Sequence, residues 1–353
     1  MMKALRNSIV VLLMVALLAV AGCGKPAAES GQTGPAPASA VVVKDGLGRE
    51  VKIDGEVKSI VSSYGIALHM VVALGAADRI EAIDVPSMKS DFFKATIPQS
   101  AQGKSVGSPQ ELNIEEVAAL EPDLVLVPGR NQEMVESLSK RGIPVFGVVA
   151  ETPEELNSTM LNLGKALGRE KTAREFVDYY DATIKDVKER LAGIDEAQRP
   201  NVYLVGPMGA LSTCSSDMYQ HELIQLCGGT NVAAQLQGKL DGHGWLEIPA
   251  EQLIAWDPDV IVVVQYASGV KPEDILSDNR FKNVKAVKNK QVYWFPSHLN
   301  PWDYPSPQAV LGVKWLAATL HPDRFPGVDM QAEADEFFNR FYGKSFTSMG
   351  GKL

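Results

Sequence analysis

At 353 residues the chain can hold two domains, and 45% hydrophobic with 22% charged residues is ordinary globular composition. The formal net charge is −9, and an acidic body argues against nucleic acid as a partner.

The first residues stand apart from the rest. Lys3 and Arg6 precede an unbroken apolar run over 9–20, followed by Ala21, Gly22 and Cys23. A positive start, an apolar core too short to span a bilayer comfortably and small residues before a cleavage point make residues 1–22 a secretory signal. Val20-Ala21-Gly22-Cys23 resembles the bacterial lipobox, which implies lipidation at Cys23 and cleavage just before it. Residues 23–40 are small, polar, Gly- and Pro-rich, and cannot bury enough apolar surface to order themselves, so they read as a lipidated, flexible tether. The expected location is extracytoplasmic, anchored to the membrane through the lipid. No second long apolar run follows.

Strand-like runs around Asp45-Gly46 predict a hairpin over 41–53. SIVSS (59–63) reads as the first buried strand, followed by a helix, IALHMVVALGA, and a strand, DRIEAID (78–84). The long polar stretch that follows, through Gln110, predicts function or small helices. Next come LNIEEVAALEPDLVLV (112–127), a helix over 131–141 and the strand IPVFGVV (143–149). Residues 169–194 carry Phe176, Val177, Tyr180, Ile184, Val187 and Leu191 at helical spacing, predicting a long strut of about 35 Å. A second series follows: the strand NVYLVG (201–206), a helix over 217–227, IPAEQLIAWDPDVIVV (248–263), the strand KQVYWF (290–295) and helices over 306–320 and 331–343. Cys214 and Cys227 flank the 217–227 helix, whose ends lie about 15 Å apart, too far for a direct bridge, so both are expected free and buried.

One unit occurs twice. Glu115 and Glu251, Pro122 and Pro258, and Asp123 and Asp259 share a single offset. Each copy is a glutamate-led helix, a Pro-Asp break and a branched apolar strand. A strand apolar throughout is covered on both faces, as in parallel α/β layers. The fold class is therefore α/β, as two Rossmann-like lobes with parallel-type sheets joined by one rigid interdomain helix. Local catalytic signatures are missing: there is no P-loop, G-x-S-x-G, H-E-x-x-H or C-x-x-C. His69, inside an apolar helix, reads as a satisfied core residue; His243 lies between glycines.

The lipobox, SIVSSYGIALHMVVALGAADRIEAID, the two repeat copies, the mid-chain helix and ELIQLCGGTNVA together resemble substrate-binding lipoproteins of iron-complex and cobalamin ABC importers, over residues 41–345. The resemblance implies two lobes that move little about the helix, a ligand in the cleft, and no catalytic activity or cofactor of the protein's own. It also implies partners: a permease dimer with its ATPase, engaged through Glu115 and Glu251. The protein is expected to be a monomer. Ligands of open α/β sheets lie beyond the strands' carboxyl ends. That places Tyr64, Arg130, Met208, Trp245, Tyr266, His298, Trp302 and Tyr304 as candidate ligand contacts. Aromatic faces suit a macrocycle or catecholate, Arg130 an anionic chelate, and His298 or Tyr304 could reach a chelated metal. Pro128 stands where some cobalamin binders carry an aromatic residue. The expectation is therefore a metal chelate, a ferric siderophore first, with cobalamin and haem as alternatives. A lipid-anchored chelatase-like enzyme and a surface sensor are the competing classes. The expected boundaries are 41–165 and 197–345 for the lobes, 166–196 for the linking helix and 346–353 for a tail.

Overall fold

The computed structural model describes residues 40–236, 244–264, 269–296 and 298–353. The signal, the tether with Cys23, His243 and Tyr266 lie outside the described residues. No helix among the described residues is long and apolar enough to cross a membrane.

The expected hairpin forms from β1 (Val41–Lys44) and β2 (Glu50–Ile53). Buried Asp45 closes its turn, accepting from the backbone N–H groups of Leu47 and Arg49 and from the Arg49 guanidinium at 2.6 Å. The first lobe then runs β3 (Ile60–Ser62), α1 (Gly65–Ala73) and β4 (Ile80–Ile83). The long polar stretch is filled by α2 (Val85–Lys89), α3 (Asp91–Thr96) and α4 (Pro98–Ala101). Asp84 and Ser90 start the first two, their side chains accepting from Ser87 N–H and Phe93 N–H. The repeat follows as α5 (Ile114–Ala119) and β5 (Leu124–Pro128), then α6 (Gln132–Lys140), β6 (Val145–Val148) and α7 (Pro153–Ala166).

Next is the strut, α8 (Glu170–Arg190), 21 residues or about 31 Å. It packs on α7 of the first lobe closely enough that a Cβ on Gly164 would lie 2.4 Å from that of Ala173.

The second lobe comprises β7 (Asn201–Val205), β8 (Ser212–Cys214), α9 (Tyr219–Leu226), β9 (Thr230–Asn231), β10 (Trp245–Glu247), α10 (Ala250–Trp256) and β11 (Val260–Val264). It continues through α11 (Pro272–Ser277), α12 (Lys285–Lys288), β12 (Val292–Phe295), α13 (Ala309–Leu320) and α14 (Met330–Tyr342). The strut also contacts α13, so it joins the two lobes.

Both main sheets are parallel, in the orders β4-β3-β5-β6 and β12-β11-β7-β9. In each, the lobe's first strand lies between its second and third, so the two lobes share one topology. The antiparallel ribbon of β8 with β10 is an addition to the second lobe. The repeated residues have matching structural duties. Glu121 and Asp257 both end their helices at positive φ, 46° and 45°. Asp123 then accepts from the backbone of Lys58 and Ser59, and Asp259 from that of Asn201, each fixing the start of its lobe's first strand.

A single apolar cluster runs from Val43 through the strut to Phe346, and a smaller one covers the other face of the first sheet. Residues 346–353 are thus no loose tail: Phe346 is fully buried between Trp302 and Phe338. Cys214 and Cys227 are both free and buried.

Candidate functional site

The sheet topology fixes where a ligand can sit. In each lobe the chain reverses its winding between the first and third strands, so a crevice opens beyond β3 and β5 and another beyond β7 and β11. Tyr64 follows β3 and caps α1 in extended backbone, its N–H bound to Ser62 Oγ at 3.1 Å. Arg130 follows β5. Gly129 lets it approach the end of β6: its N–H donates to Val148 O at 2.8 Å, and any Cβ there would lie 2.4 Å from the Val149 side chain. That close approach sets Arg130 beside Glu151, with the guanidinium 2.7 Å from the carboxylate.

Glu151 is the centre of the constellation. Its backbone N–H is held by Glu155 Oε2 at 2.8 Å, part of the capping box that starts α7. Its half-buried side chain pairs with Arg130 of its own lobe and lies near enough to Tyr219, the first residue of α9 in the other, for that backbone N–H to favour the charged carboxylate. Burial pushes the carboxyl above the ordinary carboxylate range, while Arg130 and the Tyr219 N–H oppose that shift. The Tyr64 phenol is raised by burial and by the Glu151 charge, with Arg130 pulling the other way, so it stays protonated and can donate. Tyr304, from the second lobe, adds to the field at the Tyr64 hydroxyl. Exposed His298 stands near Asp91 across the cleft and lowers that carboxyl after the larger effect of Lys94. One acid thus pairs with a guanidinium of its own lobe, while a helix-end amide of the other lobe favours its charge and a phenol stands in its field.

Behind these groups lies a buried hinge of polar contacts. His69 on α1 packs against Phe92 and Phe93, with ring centroids 4.4 and 4.5 Å away. Its Nδ1 is 3.1 Å from Gln308 Nε2 in the other lobe. The amide can only donate there, so Nδ1 accepts and the ring proton rests on Nε2. Gln308 Oε1 accepts from Ser306, whose hydroxyl accepts from Asn300, each at 3.1 Å. Burial drives the His69 pKa down to about 3 against the opposing effect of Asn300, so the ring is neutral at ordinary pH. His69 is a satisfied core residue, and its hydrogen-bond partner Gln308 belongs to the opposite lobe.

The other predicted residues are spread more widely. Trp245 is half-buried on β10, its ring close over Gly206 at the end of β7, and Met208 is exposed nearby in sequence. Trp302 corrects the expectation. It has no exposed surface and packs against Phe346, with its backbone carbonyl pressed on Gly312 of α13, where a Cβ would stand 2.3 Å away. Its ring therefore belongs to the core and offers no face to a ligand. Among the described residues no cluster of three or more His, Cys, Asp or Glu side chains could hold a metal ion.

The two glutamates of the repeat both lie exposed in the first turns of α5 and α10. Each has an arginine of its own lobe nearby: Arg141, 2.7 Å from Glu115, and Arg280, whose charge senses Glu251 while it binds Asp278. The exposed Glu115–Arg141 pair is of the kind that exchanges readily for an external partner, and Glu251 makes no ion pair among the described residues.

A two-lobed body with converging donors in an interlobe crevice defines a solute-binding protein. The periplasmic binding protein family model matches residues 60–299, and the chain belongs to that family. It is similar to the molybdate-binding protein MolA of Haemophilus influenzae, 28% identical over 330 residues, covering 86% of this chain and 92% of MolA. The solved structure of MolA bound to molybdate superposes with a TM-score of 0.75 at 26% identity, covering 86% and 98% of the two chains. The Fe(3+)-citrate-binding protein YfmC of Bacillus subtilis is 25% identical over 303 residues, 83% of this chain and 90% of YfmC. The vitamin B12-binding protein of Yersinia pestis is 25% identical over 272 residues, 74% and 85%. The chain is an extracytoplasmic substrate-binding protein of an ABC importer.

Proposed function

We propose that the cargo is an anionic metal species with an oxygen periphery, captured between the lobes and handed to the permease. The observation that carries this reading is the half-exposed Arg130 guanidinium in the crevice, 2.7 Å from the Glu151 carboxylate, with the protonated Tyr64 phenol in the same field and the Tyr219 N–H favouring a negative charge there. These groups are donors at neutral pH, a set that matches a molybdate-like oxyanion or the carboxylate or catecholate arms of a ferric chelate. A ferric siderophore remains within this class, because Met208 and Trp245 offer apolar surface on the second-lobe side for a larger chelate. Neutral cobalamin matches the charge less well. The protein takes no cofactor of its own, acts as a monomer and is held at the membrane by lipid on Cys23. Glu115 and Glu251 engage the permease.

Calorimetric titration of the mature chain, residues 23–353, with molybdate, ferric citrate, a ferric tris-catecholate, haem and cobalamin tests the reading. Tight, stoichiometric binding of one of the first three supports it and separates oxyanion from chelate. Binding of cobalamin alone would overturn it.

A further inference from the structure

The cleft of an anion-binding protein holds an acid of its own. Glu151 sits 2.7 Å from Arg130, yet that guanidinium keeps about half of its surface exposed, so a second oxygen can reach it. The carboxylate also lies near the second lobe, where the Tyr219 N–H at the start of an eight-residue helix favours its charge. That amide is among those a helix leaves without a partner of its own. The Glu151 backbone is pinned by Glu155, and Thr152 N–H is held by the same carboxylate at 3.2 Å, so the movable part is the Glu151 side chain alone. Burial raises its carboxyl, and apart from Glu155 the groups that act on it are the Arg130 cation and the Tyr219 amide, both favouring its charged form. A carboxylate paired with a half-exposed guanidinium in the crevice makes the contact that a ligand oxygen would make.

Resting on the anionic reading of the cleft, we propose that Glu151 is an internal competitor that occupies the ligand's anion position in the empty protein and is displaced when cargo binds. It thereby sets specificity. In the empty state it spares Arg130 an unpaired position in a partly dry crevice. A common anion must expel a tethered carboxylate before it can bind, whereas a multiply charged metal species has enough contacts to do so. Because the side chain stands near Tyr219, its displacement also opens the Tyr219 N–H to the cargo.

The test is Glu151→Gln, which keeps the shape and removes the charge. Affinities of the mature protein for molybdate, ferric citrate and sulfate are measured by calorimetry beside the parent. The variant should bind the parent's preferred anion at least tenfold more tightly and should acquire measurable sulfate binding. Unchanged or weaker binding overturns the competitor role and assigns Glu151 to holding Arg130 in place. Arg130→Gln separates this from the broader reading: if it binds as the parent does, the anionic site itself is wrong. Hydrogen exchange supplies a readout without any ligand. The Tyr219 amide should exchange faster in Glu151→Gln, and unchanged exchange there refutes the approach of the Glu151 carboxyl to the second lobe.

Discussion

Acid should loosen this protein through His69, and the size of the effect can be worked out. In the folded chain the ring is buried, neutral and bound to Gln308, with its pKa driven down to about 3. In the unfolded chain it titrates near about 6.5. The folded pKa is depressed, so the stabilisation is complete above the unfolded value and is lost as pH falls, because only the unfolded chain takes up the proton in that window. Each pH unit below about 6.5 costs about 1.4 kcal/mol, so moving from pH 8 to pH 5 removes about 2 kcal/mol through this one residue. Urea unfolding of the parent and of His69→Gln at several pH values measures it. The variant starts less stable, having lost the ring between Phe92 and Phe93, but its stability should fall about 2 kcal/mol less over that range, since other groups titrate in both proteins. Parallel curves would refute the buried neutral ring.

Three further outcomes are expected. The double variant Glu115→Ala, Glu251→Ala should retain cargo affinity in titration and lose uptake in cells, and unchanged uptake would remove the docking role. Gly164→Ala forces a methyl to 2.4 Å from Ala173 where α7 meets α8, and overpacking of this kind costs about 1–3 kcal/mol; thermal unfolding at the parent's temperature would contradict it. Cys23→Ser should move the protein from the membrane fraction to the soluble one, as fractionation and blotting would read.

The strands and the duplicated unit were legible because burial on both faces writes itself as branched apolar runs, VIVVV in β11 being the clearest. The β8–β10 ribbon was not: it joins three residues, Ser212–Cys214, to three more some thirty positions on, too few for any periodicity. Trp302 was misplaced because it follows the carboxyl end of β12, where ligands of open α/β sheets sit. What decides its position is Gly312, whose missing side chain lets the Trp302 backbone lie against α13, and the arrival of Phe346 from the chain's end. Glu151 was missed although its signal was present. It follows β6 at a carboxyl end, as Tyr64 and Arg130 follow theirs, but it stands just before a helix and so resembles an ordinary start-of-helix acid. Its partner Tyr219 comes from the other lobe, and no local pattern reports a contact between residues so far apart in sequence.

The apolar cluster that runs unbroken through both lobes has a thermodynamic consequence. With apolar packing continuous from one lobe to the other, the lobes should melt together, in one calorimetric transition whose van't Hoff and total enthalpies agree. Cargo held in the crevice then adds its binding free energy to the whole body and raises that one transition by an amount set by its concentration over Kd. A shift of the single melting temperature therefore becomes a direct scale for ranking candidate cargoes, without a label and without knowing which lobe each one touches.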